Sequence, residues 1–453
     1  MMGTQAAPER LFYDFCLEDH VPDGHLLRRI DRFLDVGDVR QKLKPFYCPI
    51  GRPSIDPELM IRMLIVGYCF AIRSERRLCE EVHLNLAYRW FCRLGLDGQV
   101  PDHSTFSRNR HGRFRQSNIL RHVFETVVRR CMAEGLVGGE GFAVDASLIE
   151  ADANKQRSVP SHEWRIGDIP ARATQAVRDY LGTLDDAAFG AASDVVPKFI
   201  SPSDPAAQWT GALRGPAFFA YANNYLIDTA NAVILDVEAS RAIRQAEVGA
   251  ARTMIDRTQD RLGLKPERLA ADTAYGSAAN LGWLVNDKKI TPHIPVIDKS
   301  KRNDGTLSRA DFTFDTERDL YVCPQDKLLT TTGRAHRERT LLYRASKLDC
   351  DPCLLKARCC PNTPQRKIPR DIDEDARDFV RSLTGTPAFE QSRHERKRIE
   401  MLFAHLKRIL KLGRLRLRGP CGAQDEFLLA ATAQNLRKIA KLRPGPSPAF
   451  QPA

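Results

Sequence analysis

The sequence predicts a mixed α/β protein, a sheet flanked by helices, with an all-helical N-terminal region and a cysteine-rich insertion. Three observations predict it. Residues 1–135 carry apolar residues at helical spacing. From Gly138 the pattern shifts to short apolar runs of strand length, a hairpin signal and long helices, the order of a mixed sheet. Residues 299–375 interrupt that order with Lys- and Arg-rich loops, short strands and five of the twelve cysteines.

In the N-terminal region, Pro57 to Gly67 starts a buried helix and Ser74 to Leu86 carries a second. Tyr88-Arg89-Trp90-Phe91 is an aromatic knot before a turn, and Ser or Asp oxygens around Asp102 cap a basic helix that follows. Phe142 to Ser147 is a short strand ending near Asp145, and residues 152–215 are polar, rich in Pro, Ser and Asp, and irregular. Strands over 218–227 and 232–237 flank the turn Asp228-Thr229-Ala230-Asn231. A helix over about 242–262 leads to Leu269-Ala270-Ala271-Asp272, a second short strand ending on an acid, and Ile290 to Ile297 forms another strand. The stretch Ser392 to Arg408 reads as an amphipathic helix with an apolar stripe at Ile399, Leu402, Phe403, Leu406, Ile409 and Leu410. Phe427 to Leu442 is the last helix. The expected division is a helical region at 1–135, a core domain at 138–298 and 376–443, the insertion at 299–375, and a Pro-rich disordered tail at 444–453.

The net charge of +12 is unevenly placed. Residues 393–443 hold fourteen Lys and Arg against four Asp and Glu, and residues 103–130 hold seven Arg against one Glu. Two basic elements on a near-neutral body point to a polyanion, DNA or RNA, as partner. The longest apolar run, Leu59 to Ile72, contains Arg62 and is too short for a bilayer, and the N-terminus lacks a signal-peptide pattern. The expectation is a cytoplasmic protein with no membrane partner. Helix, turn and Arg-bearing helix in the N-terminal region make a plausible DNA-docking arrangement through Arg108 and Arg110; the alternative is that these arginines only face solvent.

Three acids stand out: Asp145 and Asp272, each closing a short apolar strand, and Glu400, bordering the stripe of the late helix. Arg396 and Lys407 fall on roughly the same helical face as Glu400. Taken alone, Glu400 is equally explained by an ordinary i, i+4 ion pair. Three converging carboxylates repel one another and need cations, and Mg²⁺ prefers such oxygen ligands.

Val144-Asp145-Ala146-Ser147, Ala271-Asp272-Thr273-Ala274-Tyr275-Gly276 and Arg396-Lys397-Arg398-Ile399-Glu400 through Lys407 resemble the three acidic motifs of bacterial insertion-sequence DDE transposases. The helical stretch from about Pro53 to Phe114 is similar to that family's N-terminal domain. The third motif follows the branch signature Tyr-x2-Arg-x3-Glu-x6-Lys at Arg396, Glu400 and Lys407, while Arg393 stands where the signature has Tyr. The resemblance implies a ribonuclease-H-like fold in which Asp145, Asp272 and Glu400 bind two Mg²⁺ ions, with Mn²⁺ as a substitute. It implies cleavage at transposon ends and attack of the freed 3′-hydroxyl on target DNA, with Arg393, Arg396 and Lys407 on DNA phosphates. The partners would be terminal inverted repeats and target DNA, bound by a homodimer or higher oligomer associated with the nucleoid. The alternatives are a transposase-derived DNA-binding protein and a structure-specific nuclease on the same fold.

Cys323, Cys350, Cys353 and Cys359 can supply four thiolates to a structural Zn²⁺, with Cys360 left out because Cys359-Cys360 is no CxxC pair. Such a metal would staple an insertion expected to be too loop-rich for a core of its own. The alternative is reduced, unliganded cysteines or redox-sensitive pairs.

Overall fold

The computed structural model describes residues 15–443 except 49, 51–53, 165–173, 185, 187–188, 190–194, 212–214, 298–304 and 337–338. The tail expected at 444–453 lies outside the described residues.

Four N-terminal helices matter for the site: α1 (Pro57–Cys69), α2 (Glu75–Leu84), α3 (His103–Asn109) and α4 (Ile119–Ala133). Each of the first three starts on an acceptor side chain, Asp56, Ser74 and Asp102, that takes up a free backbone N–H of the first turn. The central sheet holds β1 (Gly141–Glu150), β2 (Phe218–Asp228) and β3 (Val233–Arg241), followed by α5 (Arg244–Leu262), β4 (Arg268–Ala270) and β5 (Thr291–His293). Its order is β3-β2-β1-β4-β5, with β1, β2 and β3 antiparallel and β4 and β5 parallel to β1. A short strand, Gln208–Thr210, pairs with the start of β2. This is the ribonuclease-H-like arrangement that the resemblance implied.

Two long helices close the fold, α6 (Pro387–Arg408) and α7 (Gly419–Leu442). Both begin earlier than their apolar patterns suggest, because Thr386 caps α6 and Pro387 opens its first turn, while α7 starts at Gly419-Pro420. On α6, Ile399, Leu402, Phe403 and Leu406 of the stripe are buried, as is Leu410 just beyond it, whereas Ile409 is exposed. α7 packs on β3 and on α1 and α4, so the N-terminal helices and the sheet share one continuous apolar core.

The expectation of a coreless insertion is corrected. Thr313–Asp315, Leu320–Val322, Leu328–Thr330, Thr340–Ala345 and Lys367–Asp371 form an antiparallel five-stranded sheet. It buries Phe312, Tyr321, Leu329, Tyr343 and Ile368 in a second core. Short alternating runs hid this sheet, since each strand contributes only one or two inward residues. No helix of the described residues is long and apolar enough to cross a membrane.

Candidate active site

The parallel pairing of β1 and β4 runs as far as Ala143 opposite Ala270. Continuing that register by two residues sets Asp145 beside Asp272, on the same sheet face as the two alanines. Asp272 keeps extended backbone and then caps the turn Thr273–Tyr275, accepting the Ala274 N–H at 2.8 Å. Asp145 is not at a strand end as expected. β1 continues to Glu150 because Ala146 to Glu150 pair with Asn224 to Ala220 of β2. What stops beside Asp145 is β4, which leaves the aspartate mid-strand with an open edge.

Glu400 comes from α6, which is held across the sheet at three points. Ser392 Oγ lies 2.6 Å from His293 Nδ1 on β5, Arg398 donates to the Thr229 and Ala230 carbonyls of the hairpin turn, and Phe403 stacks on Tyr225 at 5.0 Å between ring centroids. Tyr225 is the β2 residue opposite Asp145, so the stacking places the Glu400 turn over the aspartate's strand pair. Arg396, one turn before Glu400, lies 3.8 Å from Asp145 Oδ2. Its ion-pair partner is therefore Asp145, and the simple i, i+4 pairing with Glu400 is not the arrangement adopted. Glu400 itself is exposed.

The electrostatics tie the three acids together. Burial pushes the Asp145 carboxyl up to about 6, helped by the charges of Asp272 and Glu400 and opposed by the Ala146 N–H and Arg396. Glu247, in the first turn of α5, feels the same field: burial and the charges of Asp272 and Asp145 raise it to about 7. The Tyr275 hydroxyl is buried without a hydrogen-bond partner, and burial with the charges of Glu247, Asp145 and Asp272 raises its pKa. Sequence reasoning missed Glu247, because an acid in the first turn of a long helix reads as a solvated dipole partner. Its position on the helix that follows β3 directly was the only signal.

Among the described residues no three His, Cys, Asp or Glu side chains are gathered closely enough to hold a metal ion between them. The donor chemistry of Asp145, Asp272 and Glu400 nevertheless fits Mg²⁺, which commonly takes one or two carboxylates and completes its shell with water and substrate phosphates.

The basic residues divide sharply. Arg110, expected on DNA, is instead buried with Glu75 at 2.8 Å. Two more of its arginines are spent inside the fold, Arg115 on Asp179 and Asp425 and Arg121 on Asp236, while Arg129 and Arg130 are exposed and pair one turn away with Glu125 and Glu134. Arg108 is exposed. Arg393 is exposed beside Glu390 at 3.3 Å, and Lys407 opens onto a cleft beyond Glu400.

Cys323, Cys350, Cys353 and Cys359 line one small cavity, and Cys360 lines it too. Cys360, set aside on spacing grounds, lies close enough to Cys350 and Cys359 to add to the burial that pushes both thiols up in pKa. The Cys323 sulfur accepts the backbone N–H groups of Gln325 and Lys327 at 3.4 and 3.3 Å.

Residues 15–112 match the family model described as "Transposase domain (DUF772)", and residues 322–440 match "Transposase DDE domain". The second span contains Glu400, Arg396, Lys407 and all five clustered cysteines, while Asp145 and Asp272 lie between the two matches. With a transposase domain matched at each end of a ribonuclease-H-like sheet, the chain belongs to the insertion-sequence DDE transposases.

Proposed function

We propose that this chain cuts DNA at the ends of its element and joins the freed 3′-hydroxyl to target DNA, with Asp145, Asp272 and Glu400 as ligands of divalent cations. The observation that carries the reading is the shared field of the three acids: two strands in parallel register supply Asp145 and Asp272, and the Glu400 charge reaches Asp145. When bound, two Mg²⁺ or Mn²⁺ ions would activate a water or a 3′-hydroxyl and stabilise the leaving oxygen. Asp145 is fixed on β1 and Asp272 at the turn just past the end of β4, and Glu400 approaches from a separately anchored helix. Arg396 offsets the negative charge at Asp145 and, with Lys407, offers cations to the scissile-strand phosphates. Arg393 and Arg108 are exposed contacts for flanking DNA. Two ends held for joining call for at least two copies of the chain.

The test uses labelled duplex carrying the element's terminal sequence with Mg²⁺. Glu400→Gln and Asp145→Asn should each lower cleavage by at least about 100-fold, because even groups that only support a metal ligand cost 10–100-fold, while duplex binding persists. Cleavage at the wild-type rate in either variant would sink the assignment. A wild-type protein that binds ends but never cuts them would instead be a transposase-derived DNA-binding protein.

We also infer a structural Zn²⁺ at the cysteine cavity, held by Cys323, Cys350, Cys353 and Cys359. Support comes from the five sulfurs around one cavity and the two N–H groups aimed at Cys323; tetrahedral ligation at about 2.3 Å requires the sulfurs to draw inward. Protein purified without chelator should carry about one zinc per chain, and Cys350→Ser should lose it. Metal-free protein of unchanged thermal stability would leave a reduced thiol cluster.

A further inference from the structure

The Lys407 side of α6 opens onto a cleft of about 760 Å³ lined by Arg73, Glu150, Asp152, Lys407, Lys411 and Arg416, among others. Its wall is made where the chain leaves α6: the Glu150 N–H donates to the Gly413 carbonyl at 3.2 Å and the Leu415 N–H to the Glu150 carbonyl at 2.7 Å, so residues 413–415 run along the end of β1. Its floor comes from the N-terminal helices, through Arg73 just before α2.

Three features of this cleft suit an anion. First, its acids are already committed, Asp152 to Arg414 and Arg418 at 3.2 and 3.0 Å and Glu150 to Arg414 at 4.0 Å. Lys407, Lys411 and Arg416 are exposed and form no ion pair among the described residues. Second, the Arg73 side chain is 7% exposed and pairs with Glu426 through one nitrogen, but its Nε and Nη1 have no hydrogen-bond partner. Burial and the nearby guanidinium groups of Arg110 and Arg416 press its pKa down, although Tyr68 counters them. Third, Lys411 has a φ of 52°, the left-handed backbone that glycine fills most readily at a helix C-terminus. A lysine held there presents its charge to the cleft at a conformational cost.

We propose that this cleft holds backbone phosphates of the DNA strand leaving the carboxylate site, with Lys407, Lys411 and Arg416 as phosphate contacts and Arg73 as the cation at its floor. The proposal rests on the DNA-cleaving reading above and adds to it a place: the groove between the N-terminal helices and the end of α6. Each phosphate neutralised releases counterion, so each contact contributes about 0.9 to the salt slope of binding.

The test measures binding of full-length protein to a fluorescein-labelled random-sequence duplex by anisotropy across a NaCl series without divalent cations. Lys411→Gly removes the charge while relieving the backbone, so it should fold with a Tm at or above wild type and lose about 0.9 of the slope. Lys411→Gly with Arg416→Ala should lose about 1.8. Lys265→Ala, an exposed lysine before β4 at the sheet end away from Asp272, should leave the slope unchanged. An unchanged slope in the folded double variant, or an equal loss in Lys265→Ala, overturns the proposal. Failure of the wild type to cleave end DNA would strike the catalytic reading alone, because this assay needs no cleavage.

Discussion

At the scale of single residues, Asp145 carries the most consequence. Its folded-state carboxyl sits near 6 against an ordinary value of 3.8, so the folded chain binds this proton more tightly than the unfolded chain does. Stability from this group is therefore present at low pH and is lost as pH rises from about 4 through about 6. In EDTA, Asp145→Asn should raise stability at pH 7 by about 2 kcal/mol at most, discounting for the partial exposure of the side chain, with little difference at pH 4. Thermal denaturation of both proteins at the two pH values reads this directly, and a variant less stable than wild type at pH 7 would contradict it. Mg²⁺ should narrow the gap by stabilising the ionised form. Glu247, raised for the same reason, is the residue that only the folded chain reveals. Apart from lying on the helix that follows β3, nothing in the sequence distinguishes it from any other first-turn acid; the charges of Asp272 and Asp145 act on it once the chain is folded.

The elements show why the acids are held where they are. Gly276 ends the turn that begins at Asp272, its carbonyl accepting the Ile297 N–H at 2.9 Å. A Cβ there would collide with the Pro295 carbonyl. Because the obstacle is backbone, Gly276→Ala should destabilise by about 1–3 kcal/mol and shift Asp272 enough to lower end cleavage by about 100-fold; a stable, fully active variant would show that the turn tolerates movement. Strand and helix identities around the site were legible in the sequence because apolar runs of strand length, a hairpin turn and one helical stripe carry local periodicity. Their extents were less legible. β1 outlasts its apolar run because Ala146 to Glu150 gain hydrogen bonds from β2, and β5 stops at His293, short of the Ile297 that its composition suggests.

Across the whole molecule, charge was the feature that sequence described least well. The arginines between 103 and 130 look like a nucleic-acid surface when counted, yet Arg110, Arg115 and Arg121 are buried or nearly so against acids distant in the chain, Glu75, Asp179, Asp425 and Asp236. They fasten the N-terminal helices to the sheet and to α7. In the late basic segment Arg396, Arg414 and Arg418 are paired with acids, but Lys407, Lys411 and Arg416 form no ion pair among the described residues, and Arg73 from the N-terminal helices lines the same cleft. By itself the sequence determined the mixed α/β class and the family it resembles, and it singled out the three acids as candidates, because those depend on residue type at short range and on motif chemistry. The tertiary structure decided that β1 and β4 pair in parallel just before Asp145 and Asp272, that Glu247 shares their field, that the insertion has its own core, and which cations of the cleft form no ion pair among the described residues. Each of those depends on long-range pairing, and a side chain's partner far away in the chain leaves no periodic trace in the sequence.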